Sequence, residues 1–177
     1  MNPIFQVTPP TKALLVSAVF SIAGAAGAYG AQAYWPAILP LVVFYIVLTI
    51  NSYFSIRLFS AITPPDDKVQ QFIDAILFGI YIFLACAFAV LDLFFLGVLF
   101  LFIIAPLKYA LLLGKIPHLK LLKKKIIIDL LGTLMAVAVV VGSLAGYSTE
   151  SAWALAIIFA IANIYFLLIN PMYKIID

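Results

Sequence analysis

Between Lys12 and Tyr173 the sequence is a series of long apolar runs, and its polar residues are largely confined to the short stretches between them. A membrane-crossing helix needs about 20 apolar residues, because each adds about 1.5 Å across a hydrocarbon core about 30 Å thick. Hydrophobic residues make up 67% of the chain and charged residues 10%, against about 45–50% and about 25% in an average soluble domain. Lipid is therefore the expected solvent for most of the chain. Inside lipid, backbone polar groups must be satisfied internally, which an α-helix does within itself. The reading is an all-α polytopic integral membrane protein, one transmembrane domain over 1–177, with six transmembrane helices at about 12–33, 36–62, 68–90, 93–113, 126–146 and 152–173. They are expected to form three helical hairpins.

Local signals place the helix ends. Thr8-Pro9-Pro10 offers a capping side chain and prolines whose missing donors cost nothing in a first turn. Tyr34-Trp35-Pro36 makes an interfacial turn, Thr63-Pro64-Pro65-Asp66-Asp67 closes helix two and opens helix three, and Leu91-Asp92-Leu93 is expected as a tight turn. Pro106 is expected to kink helix four. The stretch Gly114–Lys125 carries Lys115, Lys120, Lys123, Lys124 and Lys125, five of the ten basic residues. A lysine at the bilayer centre costs about 2.5 to 3.5 kcal/mol on insertion scales, so this block fixes one loop in water. With six crossings, Lys12, Arg57, Lys68, Lys108, the block and Lys174 all fall on one side, whereas the opposite turns hold Asp92 and Glu150. The positive-inside rule makes that side cytoplasmic and puts both termini there, in a plasma (inner) membrane. A rival reading takes Ala31-Gln32-Ala33 as a signal-peptide cleavage site. Against it, Lys12 is the only positive charge before the run, and the run exceeds the usual length of about 7 to 15 residues.

Some residues recur at a spacing of 56: Lys12, Lys68 and Lys124, and Tyr53, Tyr109 and Tyr165. Asn51-Ser52-Tyr53-Phe54 also parallels Asn163-Ile164-Tyr165-Phe166. Three hairpins of shared design are one explanation, and placement of tyrosine and lysine by membrane depth is the other. Helix one carries Ala23, Gly27 and Ala31 on one face, and helix five carries Gly142 and Gly146 in a G-x-x-x-G spacing. Small faces allow close backbone approach, so these two helices are expected at the bundle centre.

The inventory for chemistry is thin. The single histidine, His118, lies in the basic loop, and the single cysteine, Cys86, is expected as a small buried hydrophobe. No metal ligand set, cofactor motif or catalytic constellation is present in the sequence, and the expectation is no enzyme, no cofactor and no metal. The candidate substrate-binding residues are Asn163, Tyr45, Tyr81 and Asn51, the polar groups nearest mid-membrane. The plainer role for Asn163 is an interhelical hydrogen bond. Asp74 and Asp129 are candidates for an ion or proton site if both face the bundle interior; otherwise they pair with Arg57 or Lys108 near the inner membrane edge. Lys115, Lys120, Lys123, Lys124 and Lys125 are candidates for anionic lipid headgroups, at about 1 kcal/mol each.

The leading expectation is a carrier, or the membrane-embedded substrate-binding subunit of a transporter, for a small molecule. The alternative is a membrane scaffold or assembly factor, and a third is an intramembrane enzyme. Expected partners are the bilayer, anionic lipids at the cytoplasmic face, and a membrane protein or a second copy of the chain. Nucleic acid is excluded, because the basic residues sit at the ends of apolar runs and not on a polar face. A carrier requires a polar cavity reaching mid-membrane, and a scaffold requires a sealed apolar core.

Overall fold

The computed structural model describes residues 8–173, and the expectation for Lys174 lies outside them. Among the described residues the regular structure is entirely helical. The elements are α1 (Pro9–Gly30), α2 (Trp35–Ile62), α3 (Lys68–Cys86), α4 (Leu91–Lys115), α5 (Lys120–Leu144) and α6 (Ser148–Ile164). A 3-10 turn at Gln32–Tyr34 joins α1 to α2, and a π-helical turn at Tyr165–Ile169 extends α6. All six helices, so extended, are long and apolar enough to cross a membrane, the make-up of a multi-pass membrane protein.

Several boundaries differ from those expected, each for a local reason. α1 starts at Pro9 because both prolines fit its first turn. α3 stops at Cys86, so Leu91-Asp92-Leu93 opens α4 and is not the turn before it. Asp92, now in a first turn, accepts from Ser143 Oγ at 2.6 Å. α5 begins at Lys120, six residues before the expected 126. After Pro117 nothing interrupts a run of leucine and lysine, both good helix formers, so all five lysines of the block are helical, Lys115 as the last residue of α4 and the other four in α5. Beyond α5 the chain reverses at Gly146, whose φ of +93° is a conformation natural to glycine. Gly146 therefore lies outside the helix, and no G-x-x-x-G face forms there.

The helices make a ring of principal neighbours in the order α1, α2, α6, α5, α4, α3 and back to α1, with the broadest contact between α4 and α5. The small-residue helices are not central: α1 buries only 17% of its most apolar stretch, against 44% in α4. Their small residues serve close approach to one neighbour instead. Gly27 faces the Ala85 carbonyl of α3, Gly24 faces the Tyr45 ring, and Gly132 faces the Phe102 ring. Cys86, the last residue of α3, is exposed and not buried as expected.

Phenylalanines fill the middle of the ring at the end away from the basic block. Phe44 lies 4.6 Å from Phe159 and 5.9 Å from Phe94 between ring centroids, and Phe94 lies 5.5 Å from Phe88. Lower down, Pro106 cannot donate to the Phe102 carbonyl four residues before it. Thr133 Oγ1 of α5 donates to that carbonyl at 2.6 Å instead. Such repair from a neighbouring helix is how a mid-helix proline is tolerated in lipid. At the basic end a second, smaller cluster of Phe59, Tyr109, Leu112 and Leu122 draws α2, α4 and α5 together.

Candidate ligand cavity

Between these two apolar clusters lies a cavity of about 1140 Å³, lined by residues of all six helices. Most of its polar lining comes from the helix ends that face the basic block, with Tyr81 further in, in the far half of α3. α2 contributes Asn51, Ser52 and Ser55, with Ser55 one turn beyond the adjacent Asn51 and Ser52 and so on the same side of the helix. α3 contributes Asp74 and Tyr81, α4 Lys108 and Tyr109, α5 Lys125 and Asp129, and α6 Asn163. The apolar lining includes Phe20, Phe78, Phe102, Phe159 and Phe166.

Hydrogen bonds tie this lining across helices. The Tyr81 and Ser52 hydroxyls are bonded to each other, and the Ser55 and Tyr109 hydroxyls meet at 2.8 Å. After the π-helical turn, Asn170 N–H donates to the Tyr165 carbonyl at 2.8 Å and Met172 N–H to the Phe166 carbonyl at 2.9 Å, so the chain folds back. That reversal brings Tyr173 against α2, where its hydroxyl donates to Asn51 Oδ1 at 3.0 Å. π-Helical turns often occur at functional positions. Here the turn places an aromatic residue in the wall of the cavity.

Of the five charged residues in the lining, four form two ion pairs, and the fifth, Lys12, is exposed at the start of α1. Lys108 Nζ of α4 lies 2.5 Å from Asp74 Oδ1 of α3, with side chains 10% and 39% exposed. Lys125 Nζ lies 2.5 Å from Asp129 Oδ1 one turn along α5, with side chains 8% and 3% exposed. The Lys125 ammonium also sits 5.4 Å from the centre of the Tyr109 ring, a cation–π distance. Asp129 Oδ2 has no hydrogen-bond partner among the described residues.

The expected substrate residues divide. Asn51, Tyr81 and Asn163 line the cavity, whereas Tyr45 does not. Its ring rests on Gly24, and its hydroxyl reaches the Phe20 and Tyr81 carbonyls at 3.3 and 3.2 Å. Among the described residues Asn163 makes no interhelical hydrogen bond: its Nδ2 donates to the Phe159 carbonyl of its own helix at 2.8 Å. Asp74 and Asp129 both reach the cavity. Of the candidate headgroup lysines, Lys120 and Lys123 are exposed and Lys124 lies 5.3 Å from the Phe166 ring centre. Lys115 pairs with Asp67, and Lys125 is buried inside the bundle, not at its surface. His118 is exposed in the loop.

Outside the spans, Asp67 caps α3 by accepting from Gln70 N–H at 3.3 Å. Its carboxyl is held below the usual carboxylate range, chiefly by the hydrogen bond from Lys115. No group of three or more histidine, cysteine or acidic residues suited to a metal ion occurs among the described residues.

Sequence reasoning missed Ser52, Ser55, Tyr109, Tyr173 and the inward turn of Lys125. One signal was available: Lys125 and Asp129 are four residues apart, which puts them on one helix face. Comparison with protein-family models, with curated proteins and with solved structures gives no match.

Proposed function

We propose that the protein is a membrane carrier, or the membrane-embedded substrate-binding subunit of one, that admits a small molecule into this cavity from the cytoplasm. The observation that supports it most is the cavity itself, about 1140 Å³ with polar and charged groups on its wall. Ligand sites commonly measure about 300 to 1,000 Å³ and combine apolar walls with a few placed polar groups. A scaffold has no use for such a space, and a buried wall of ion pairs is costly to keep in lipid without one. On this reading the six helices form three hairpins with both termini cytoplasmic, in the plasma membrane, because the basic residues cluster at the cavity end. The aromatic cluster closes the outer half, so the arrangement corresponds to an inward-facing state.

Native mass spectrometry of the protein, extracted in mild detergent from its own membrane, tests the reading. A reproducible small-molecule adduct that disappears in a folded Asn163→Leu variant supports it. Bare protein, or protein carrying only a protein partner, overturns it in favour of the scaffold.

A further inference from the structure

The Lys125–Asp129 pair is half-used. A carboxylate accepts through both oxygens and an ammonium donates through three N–H groups. Here Lys125 Nζ engages Asp129 Oδ1 at 2.5 Å, while Asp129 Oδ2 has no partner among the described residues. Asp129 is 2% exposed and Lys125 6% exposed, and both line the cavity. A buried, unmatched charged acceptor is costly and calls for a donor. The other cavity ion pair, Lys108 with Asp74, is likewise closed on itself; the fifth charged lining residue, Lys12, is exposed at the start of α1, so around the buried Lys125–Asp129 pair the wall carries equal positive and negative charge. Bringing a singly charged ligand there would leave a net charge in a low-dielectric space.

A zwitterionic head avoids that cost. Laid antiparallel to the pair, its ammonium donates to Asp129 Oδ2 and its acid group accepts from a free N–H of Lys125, with no change in net charge. The apolar remainder of the ligand then meets the Phe102 and Phe159 rings, whose centroids are 5.9 Å apart. We propose, building on the carrier reading above, that the cavity takes an amphipathic zwitterion with an N–H-bearing ammonium next to an acid group. Two sources carry that chemistry: a free apolar amino acid and an ethanolamine phospholipid.

The test is thermal melting of the purified full chain in mild detergent, titrated with L-phenylalanine or phosphatidylethanolamine. The comparison ligands are phenethylamine, 3-phenylpropionate, N,N,N-trimethyl-L-phenylalanine and phosphatidylcholine. The first two carry one charge each, and the trimethyl ammonium groups cannot donate to Asp129 Oδ2. Stabilisation should require at least about tenfold more of any comparison ligand, the worth of one charge-assisted hydrogen bond. The response should vanish in Asp129→Asn and, if that variant does not fold, in the charge-neutral Lys125→Met/Asp129→Leu double variant. Response to phenylalanine alone assigns a free amino acid, and response to the phospholipid alone assigns a lipid. Equal binding of a singly charged or trimethylated ligand, or an undiminished response in the double variant, overturns the proposal and leaves the carrier reading standing. Silence from every ligand also overturns it. If the mass spectrum then still holds an adduct that Asn163→Leu removes, the carrier reading survives; if it holds none, both readings fall.

Discussion

Replacing Lys125 with methionine should destabilise the bundle by about 3 to 5 kcal/mol, the usual cost of removing one partner from a buried ion pair. The size follows from the surroundings. The Asp129 side chain is 3% exposed, and its only hydrogen bond among the described residues that involves the carboxylate comes from Lys125 at 2.5 Å. Without the lysine, both carboxylate oxygens are left buried and unmatched. Removing both charges, in Lys125→Met/Asp129→Leu, should cost far less than the single change, and such replacements are often neutral or stabilising by about 1 to 4 kcal/mol. Lys123→Met, on the exposed side of the same helix, is the control for the loss of a lysine. Reversible unfolding in mixed detergent micelles, followed by circular dichroism, measures all three. If Lys125→Met costs no more than the double variant, the carboxylate is not confined as described and the reasoning fails.

Three other substitutions probe separate parts of the account. Gly27→Ala should cost about 1 to 3 kcal/mol by overpacking, because its new methyl would meet the Ala85 carbonyl. Gly30→Ala, with nothing within 4 Å, should be neutral or stabilise by up to about 1 kcal/mol; the same unfolding assay separates them. Tyr81→Phe should cost about 0.5 to 1.5 kcal/mol, since Ser52 keeps its bond to the Leu48 carbonyl at 2.8 Å. Asp67→Asn should change acid sensitivity. The folded-state pKa of Asp67 is lowered from 3.8, so its contribution is present above that value and is lost as pH falls through the lower folded value. Melting temperature in that acid range should fall less steeply in the variant than in the parent.

The helices were legible in the sequence because hydrocarbon imposes a length on apolar runs, and each run recovered its helix. The turns were legible where proline or aspartate supplied a local cause, as at Pro9 and Asp67. What was not legible was which face of each helix turns inward. In lipid both faces are apolar, so burial leaves little periodic trace. The lysines of the basic block illustrate the loss: the consecutive Lys123, Lys124 and Lys125 look alike in sequence, yet Lys123 is exposed and Lys125 is buried. The tyrosines spaced by 56 also diverge, with Tyr109 5% exposed in the cavity wall and Tyr165 43% exposed. The Asn51 and Asn163 segments parallel each other more closely. Both asparagines line the cavity, and the Tyr53–Phe54 and Tyr165–Phe166 rings stand at 82° and 81°.

Thiol labelling would test most directly whether the cavity is an open, water-filled space reached from the cytoplasm. In a Cys86→Ser background, Ser55→Cys places a thiol in the cavity wall and Val98→Cys places one among the buried residues of the aromatic half. A membrane-impermeant maleimide should label the cysteine at 55 in inside-out vesicles, leave it untouched in right-side-out vesicles, and leave the cysteine at 98 unlabelled in both. Labelling at 55 from the outer side alone, or from neither side, would contradict a cavity open to the cytoplasm.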